Sequence, residues 1–340
     1  MESILKLTPA QRSELYKAAS QKLGIGEVIL EKDFWVCWTL RELFALPGIG
    51  EHLIFKGGTS LSKVWRAIAR FSEDIDVSLS REWLGFSGEH SPEHATSGKK
   101  QRERIEDLAT ACSHKIATEI LPALRARATA TLGDKGWFIT IDSDDSQTLR
   151  FAYPSDVGAT TSDNYVRREV KIECGARSDD WPAEDKSVVP YVAELYPESL
   201  SDAVAPLRVL SIERTFWEKA TILHAEAHRD EAKATPQRFS RHYADLAALA
   251  DHPSATGALA RDELRARVVE HKRVFFAAAW AKYETAVPGT FRLIPPQHRL
   301  ANLKADYRDM QEMFFGDPAS WEEIVEKLRI LEERINRHRS

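Results

Sequence analysis

The order of segments along the chain predicts an α+β protein: a small mixed sheet with helices, followed by a helical C-terminal part. Two observations carry that expectation. Between His52 and Val77 a short strand, a glycine loop, a helix and an acidic strand follow one another. From about Leu207 to the end, apolar residues recur mainly at helical spacing. A chain of 340 residues has room for two domains and a sizeable core. The expected division is 1–205, with a helical insertion near 89–130, and 206–340, helical and contributing to the functional site.

Taken in order, Thr8-Pro9 opens a first helix as a cap followed by proline. A second runs from about Glu27 through Leu46 and ends at Pro47-Gly48; its aromatics at helical spacing read as core, and Glu31, Lys32 and Asp33 receive no catalytic role. His52 to Lys56 is a short strand. The phosphate-type loop, a helix and the acidic strand come next. Residues 86–101, rich in Ser, Gly, His and charge, read as a mobile loop, and a helical block follows to about Ala130. Strands resume around Trp137 to Asp142, Gln147 to Tyr153 and Val166 to Cys174. Pro182, Pro190 and Pro197 punctuate a connecting segment, and loops are expected at Arg229 to Gln237 and Pro288 to Gln297.

The chemistry concentrates in Lys56-Gly57-Gly58-Thr59-Ser60-Leu61-Ser62-Lys63 and Phe71-Ser72-Glu73-Asp74-Ile75-Asp76-Val77. Two glycines let backbone N–H groups approach an anion without a Cβ in the way. Asp74 and Asp76 are two apart on an expected strand and so share one face. Carboxylate oxygens of that kind suit Mg2+, which is held by one or two carboxylates plus substrate phosphates. Lys63, Arg66 and Arg70 recur at three and four residues, a stripe that could hold a triphosphate or simply be a solvated helix face. Asp74 and Asp76 could likewise be a solvent-facing strand edge, and Glu173 could pair with Lys171.

Together, Gly57-Gly58-Thr59-Ser60 and Ser72-Glu73-Asp74-Ile75-Asp76 resemble the first motif of the polymerase-β-type nucleotidyltransferases, in the variant found in the AbiEii/AbiGii toxins of type IV toxin–antitoxin systems. Further segments are similar to that family in the same order. Val170-Lys171-Ile172-Glu173-Cys174-Gly175-Ala176-Arg177 places Glu173 at the third carboxylate. Glu213-Arg214-Thr215-Phe216-Trp217-Glu218-Lys219-Ala220 resembles the helical Glu-Lys motif, and Arg241-His242-Tyr243-Ala244-Asp245-Leu246 the Arg-x-x-x-Asp-Leu motif. The resemblance spans roughly residues 28–250. It implies a nucleotidyltransferase core and a helical C-terminal domain.

The resemblance further implies that an NMP passes from an NTP to an acceptor hydroxyl, taken as the 3′ end of tRNA, by a toxin countered by a cognate antitoxin encoded nearby. Asp74, Asp76 and Glu173 would hold Mg2+ (or Mn2+). Gly57, Gly58, Thr59, Ser60, Lys63, Arg66, Ser72 and Arg177 would bind the nucleotide. Lys219 would reach its phosphates, and Asp245 would line the nucleotide or orient Lys219. Without the resemblance, Glu218 and Lys219 read as surface salt bridges of a helix. The charged insertion between Asp76 and Glu173 and the extended tail depart from the shorter toxins, so the acceptor carries over less firmly than the nucleotide chemistry.

Bulk properties set outer bounds. The formal charge of −5 gives no global basic field, so RNA binding would depend on local patches such as Lys99-Lys100-Gln101-Arg102-Glu103-Arg104, Arg125 with Arg127, or the terminal Arg334 to Arg339. No apolar run approaches a membrane span, and the polar start Met1-Glu2-Ser3-Ile4-Leu5-Lys6 lacks a signal-peptide core, so a cytoplasmic protein without membrane partners is expected. Cys37, Cys112 and Cys174 are odd in number and lack metal spacing; they read as reduced, buried thiols. His224 and His228 are four apart with His242 downstream, but a structural role outweighs zinc binding. Two other functions stay open: a nucleotide-binding regulator without turnover, and a transferase acting on protein or a small molecule such as an aminoglycoside. The preferred NTP, the antitoxin's identity and the oligomeric state are not encoded in any motif.

Overall fold

The computed structural model describes residues 1–158 and 167–337. The first residue of the expected strand from Val166, and His338 and Arg339 of the terminal basic cluster, lie outside the described residues. The chain divides into two compact units: residues 1–64, 72–91 and 102–209 form the first, and 65–71, 92–101 and 210–340 the second.

The first unit opens with a short α1 (Glu2–Leu5) and α2 (Pro9–Leu23). Thr8 accepts from the Gln11 backbone N–H while the Gln11 side chain accepts from Thr8 N–H, a reciprocal cap worth about 1 kcal/mol. Next, α3 (Glu27–Phe44) is buried almost all round. Its Trp35 and Trp38 pack on Phe151 with ring centroids 5.8 and 5.4 Å away, and Trp35 stacks on Tyr153 at 5.5 Å.

The sheet is mixed, with seven strands among the described residues: β1 (Leu53–Lys56), β2 (Asp74–Leu79), β3 (Phe138–Ile141), β4 (Thr148–Ala152), β5 (Glu169–Gly175), β6 (Ala183–Val188) and β7 (Ala205–Leu210). Their order across the sheet is β3-β4-β5-β2-β1-β7-β6. Between β1 and β2 lies α4 (Gly57–Lys63), only seven residues long. The central pair is β2 and β5, parallel, with Asp74 opposite Lys171 and Asp76 opposite Glu173. On the other side β2 runs antiparallel to β1, and Lys56 faces Asp76.

Two of these strands depart from the sequence reading. β6 and β7 fall where a proline-punctuated connection and the start of the helical part were expected. Pro182 precedes β6 and Pro190 follows it, so the prolines bound the strand instead of excluding one. In β7, Leu207 and Val209 are buried while Pro206 and Arg208 are exposed, and its parallel bridge to β1 joins Val209 with Phe55.

The insertion is helical: α5 (Gly98–Lys115), a π-helical turn at Ile116–Ile120, and α6 (Leu121–Leu132). The preceding stretch is less free than its composition suggests. Ser91 is buried and its carbonyl accepts from Arg104 at 2.7 Å. A short α7 (Tyr191–Leu195) completes the unit.

The second unit holds α8 (Ile212–Ala227), α9 (Ser240–Asp251), α10 (Ser254–Leu259), α11 (Asp262–Phe275), α12 (Leu300–Asp309) and α13 (Trp321–Arg337). Ser211 caps α8 by accepting from Arg214 N–H. The start of α9 is held by Asp306 of α12, whose carboxylate accepts from the backbone N–H groups of Arg238 and Ser240 at 2.6 and 2.9 Å. The α9 helix packs on both α8 and α13, with Tyr243 against Trp321 at 5.8 Å. Arg299 fixes the loop after α8 by donating to the carbonyls of Asp230 and Lys233 and to Thr235. Among the described residues no helix is long and apolar enough to cross a membrane.

Candidate active site

In the first unit the strand pleat does what the sequence spacing implied. Asp74 and Asp76 on β2 and Glu173 on β5 project to one face, because residues two apart on a strand share a face and the parallel register sets Asp76 against Glu173. Ile75, Val77, Ile172 and Cys174 take the opposite, buried face. The result is a row of carboxylates beside Gly57. Burial first, then the neighbouring charges of Glu73, Glu173 and Asp76, raise the Asp74 carboxyl to about 6. A divalent cation would relieve that repulsion, and the all-oxygen donor set is of the kind Mg2+ takes. Glu173 is already engaged, since Lys171 two residues earlier on β5 donates to it.

Gly57 is required by what lies against it. Its φ is +81°, and a Cβ there would come within 1.9 Å of Asp76 Oδ2 and 2.6 Å of Asp76 Cγ. The glycine therefore lets the phosphate-type loop and the acidic strand meet. The two hydroxyls after the glycines are turned inward: Thr59 donates to the Asp74 carbonyl and Ser60 to the Gly57 carbonyl at 2.8 Å, and both side chains are buried. They tie α4 to β2 and to its own first turn.

The basic stripe is not a helical stripe. Helix α4 stops at Lys63, and Arg66 sits in the left-handed region at φ 51°, so the three cations diverge. Lys63 points into the core, 2.7 Å from Asp33 and 3.4 Å from the centre of the Tyr191 ring. Arg66 is exposed. Arg70 belongs to the second unit and is buried there. Ser72 precedes β2 instead of lying within it, and Arg177 is exposed just beyond the end of β5.

Helix α3 contributes more than core. Glu31 accepts from Ser155 Oγ and from Asp156 N–H, both at 2.6 Å, Lys32 donates to Glu73 at 2.6 Å and to the Arg167 carbonyl at 2.8 Å, and Asp33 accepts from Tyr191 N–H at 2.6 Å. Three consecutive charged residues thus brace the β4–β5 connection, the residue before Asp74, and α4. Sequence reasoning passed over them because aromatic periodicity dominates that helix. The signals in sequence are an unbroken Glu-Lys-Asp run inside an apolar pattern and the resemblance of Glu31-Lys32-Asp33-Phe34-Trp35-Val36 to the opening of the AbiEii/AbiGii toxins.

In the second unit, Lys219 on α8 and Asp245 on α9 meet: Lys219 Nζ donates to Asp245 Oδ2 at 2.6 Å and lies 3.3 Å from His242 Nδ1. Arg70 takes the same carboxylate with two prongs, Nε to Oδ1 at 2.7 Å and a terminal nitrogen to Oδ2 at 2.9 Å. Burial pushes the Asp245 carboxyl up, but Arg70 and Lys219 outweigh it and hold it well below the usual carboxylate range. Burial lowers the Lys219 ammonium, and burial followed by the Lys219 charge holds His242 neutral. Glu218 pairs with Arg214 along α8. His224 is a satisfied core residue: Nε2 faces the Lys282 carbonyl and Thr285 Oγ1, each at 3.1 Å, and Nδ1 accepts from Arg292 N–H at 3.0 Å. The three cysteines are free and buried. Among the described residues no three His, Cys, Asp or Glu side chains form a metal cage by themselves.

Carboxylates paired across parallel strands next to a glycine loop, on a mixed sheet with a helical second unit, are features of a nucleotidyltransferase. The family model described as nucleotidyl transferase AbiEii toxin, type IV toxin–antitoxin system, matches residues 38–327. The chain belongs to this family of nucleotidyltransferase toxins. Among solved structures it is similar to MenT4, a nucleotidyltransferase toxin from Mycobacterium tuberculosis H37Rv, at 16% identity and a TM-score of 0.45, over 98% of this chain and 100% of that one. No curated protein matches it significantly.

Proposed function

We propose that this nucleotidyltransferase moves an NMP from an NTP to the 3′-terminal hydroxyl of tRNA, in the cytoplasm, as a metal-dependent toxin held in check by an antitoxin encoded beside it. The observation that carries the nucleotide chemistry is the packing of Gly57 directly against Asp76, which joins an anion-accepting loop to a pair of metal-type carboxylates. The tRNA acceptor rests on the family resemblance.

Asp74 and Asp76 are the residues that would hold Mg2+ or Mn2+, with Glu173 completing the set. When bound, such an ion supplies positive charge to the triphosphate and lowers the pKa of the attacking hydroxyl. The backbone of Gly57 and Gly58 takes phosphate oxygens, while Thr59 and Ser60 keep that loop in place. Ser72, Arg66 and Arg177 are further candidates for nucleotide contact. Lys63 supports α4 through Asp33; binding phosphate would require its ammonium to leave that partner. Glu173 accepts the proton of the attacking hydroxyl unless it is engaged with the metal. As the acceptor oxygen bonds to the α-phosphorus, the bond to the bridging oxygen of the β-phosphate breaks. Lys219 balances charge on the departing pyrophosphate, and Asp245 holds Lys219 in place.

The test is transfer of label from each α-labelled NTP to total tRNA and to total protein, with Mg2+ or Mn2+, comparing wild type with Asp74→Ala. Label on tRNA that disappears in the variant supports the proposal. Label on protein, or none on either, overturns the tRNA acceptor.

A further inference from the structure

The sheet face that carries the acidic row can be followed strand by strand, because residues directly opposite one another on neighbouring strands share a face. Asp74 lies opposite Lys171, and Asp76 opposite Glu173. On the far side of β5, Arg150 and Thr148 of β4 stand opposite Lys171 and Glu173. On the other side of β2, Lys56 of β1 stands opposite Asp76. These pairings put three cations, Lys56, Lys171 and Arg150, on the face of the three carboxylates.

Two of the three are committed. Lys171 donates to Glu173, and Arg150 donates to Asp142 and to Glu169. Two other lysines close to the row or to the glycine loop are committed as well, Lys32 to Glu73 and Lys63 to Asp33. Each of these would have to give up a partner before it could bind an anion. Lys56 is different: its ammonium makes no hydrogen bond, ion pair or ring contact with any described residue, although Asp76 is its cross-strand neighbour. The Asp76 carboxylate is packed against Gly57 instead, where a Cβ would come within 1.9 Å of Oδ2.

The placement of Lys56 fits an anionic ligand. It is half-buried at the end of a strand whose other three residues are buried, and the next residue is Gly57. Its backbone therefore leads straight into the glycine loop while its side chain leaves on the acidic face. Opposite Cα atoms of an antiparallel pair lie about 5 Å apart, within the reach of a lysine stem. Carboxylates cancel much of the charge that a metal ion brings, so a triphosphate seated beside them needs a further cation.

We propose that Lys56 is a further catalytic residue of the transfer reaction: its ammonium binds a phosphate oxygen of the nucleotide seated on Gly57 and Gly58 and balances charge on the leaving pyrophosphate. This rests on the reading of the glycine loop and the acidic row as the nucleotide site. Lys56, the glycine loop and the row all belong to the first unit.

The experiment uses the full chain as wild type, K56M and K56R. Each is characterised by its melting temperature, its kcat and KM for NTP, its binding of inorganic triphosphate with Mg2+ by calorimetry, and its binding of Mn2+ alone by water-proton relaxation. K56M keeps the stem and removes the charge. It is expected to melt close to wild type, since no partner is lost, and to bind Mn2+ at least as tightly, since a positive neighbour of the carboxylates is gone. Its triphosphate binding and its kcat/KM should each fall on the order of tenfold. K56R restores the charge and should bring triphosphate binding back to within about threefold of wild type. A K56M that matches wild type in triphosphate binding and kcat/KM overturns the proposal. So does a K56M that melts low and loses Mn2+ together with triphosphate, with no recovery in K56R, because that pattern assigns Lys56 a structural role. A wild type that binds neither Mn2+ nor triphosphate refutes the reading of the loop and the row, and the proposal with it. The binding measurements need no acceptor, so they decide the matter whichever hydroxyl receives the NMP.

Discussion

Replacing Gly57 with alanine tests whether the glycine loop and the acidic strand form one unit. The added Cβ would lie 1.9 Å from Asp76 Oδ2, 2.6 Å from Cγ and 2.9 Å from Cβ, and the residue keeps a φ of +81°. The backbone conformation costs alanine about 1–2 kcal/mol relative to glycine, and the forced displacement adds about 1–3 kcal/mol of overpacking. The sum is roughly 2–5 kcal/mol, which for a domain of 150–250 residues corresponds to a fall of about 4–20 °C in melting temperature. Gly24 provides the control. It has a φ of +67° but nothing within 4 Å of its added Cβ, so Gly24→Ala meets the conformational cost alone. The assay is a thermal melt together with label transfer from α-labelled NTP. Gly57→Ala should melt well below Gly24→Ala and lose transfer on the order of a hundredfold, because the Asp76 carboxylate must move. Equal melting and equal transfer in the two variants would refute the reasoning.

Asp74→Asn should abolish detectable transfer without lowering the melting temperature, since removing that carboxylate eases repulsion in the row; a large loss of stability would show that the acidic row is structural. Transfer should vanish with EDTA and return with Mg2+ or Mn2+, and persistence in EDTA would remove the metal from the account. Breaking the buried pair by Lys63→Met should cost about 3–5 kcal/mol in urea unfolding, and a stable variant with weakened NTP binding would return Lys63 to the phosphates. His224 is held neutral, with burial pushing it down to about 4 from an ordinary value of 6.5. Because the unfolded state binds the proton more readily, its contribution to stability is complete above about pH 6.5 and is lost as the pH falls toward 4. His224→Gln should flatten that part of the urea-midpoint profile, and an unchanged slope would assign the acid sensitivity elsewhere.

How much of this was legible in sequence depended on whether the signal was local. The pair Asp74 and Asp76 shares a face by strand periodicity alone, and their strand, the capped helix after Thr8 and the helices after Ser211 all appear where pattern placed them. β6 was invisible because Ala183–Val188 is a largely exposed, charged edge strand with no apolar alternation to read. β7 was absorbed into the helical part because its alternation is short and abuts α8. The cation stripe failed for a different reason: regular spacing was extrapolated beyond Lys63, where the helix ends, and nothing in the spacing tells that Arg70 would find Asp245, 175 residues away. Lys63 and Asp33 show the same limit, since a pair buried across the fold looks in sequence like two ordinary surface charges.

The central claim is that the row of carboxylates on β2 and β5 performs NMP transfer to tRNA. Its most direct test is the intact mass of tRNA 3′ ends recovered from cells producing wild type or Asp74→Ala at equal levels. The account predicts 3′ ends lengthened by nucleotide residues in wild type only; unaltered tRNA in cells arrested by the wild-type protein would contradict it.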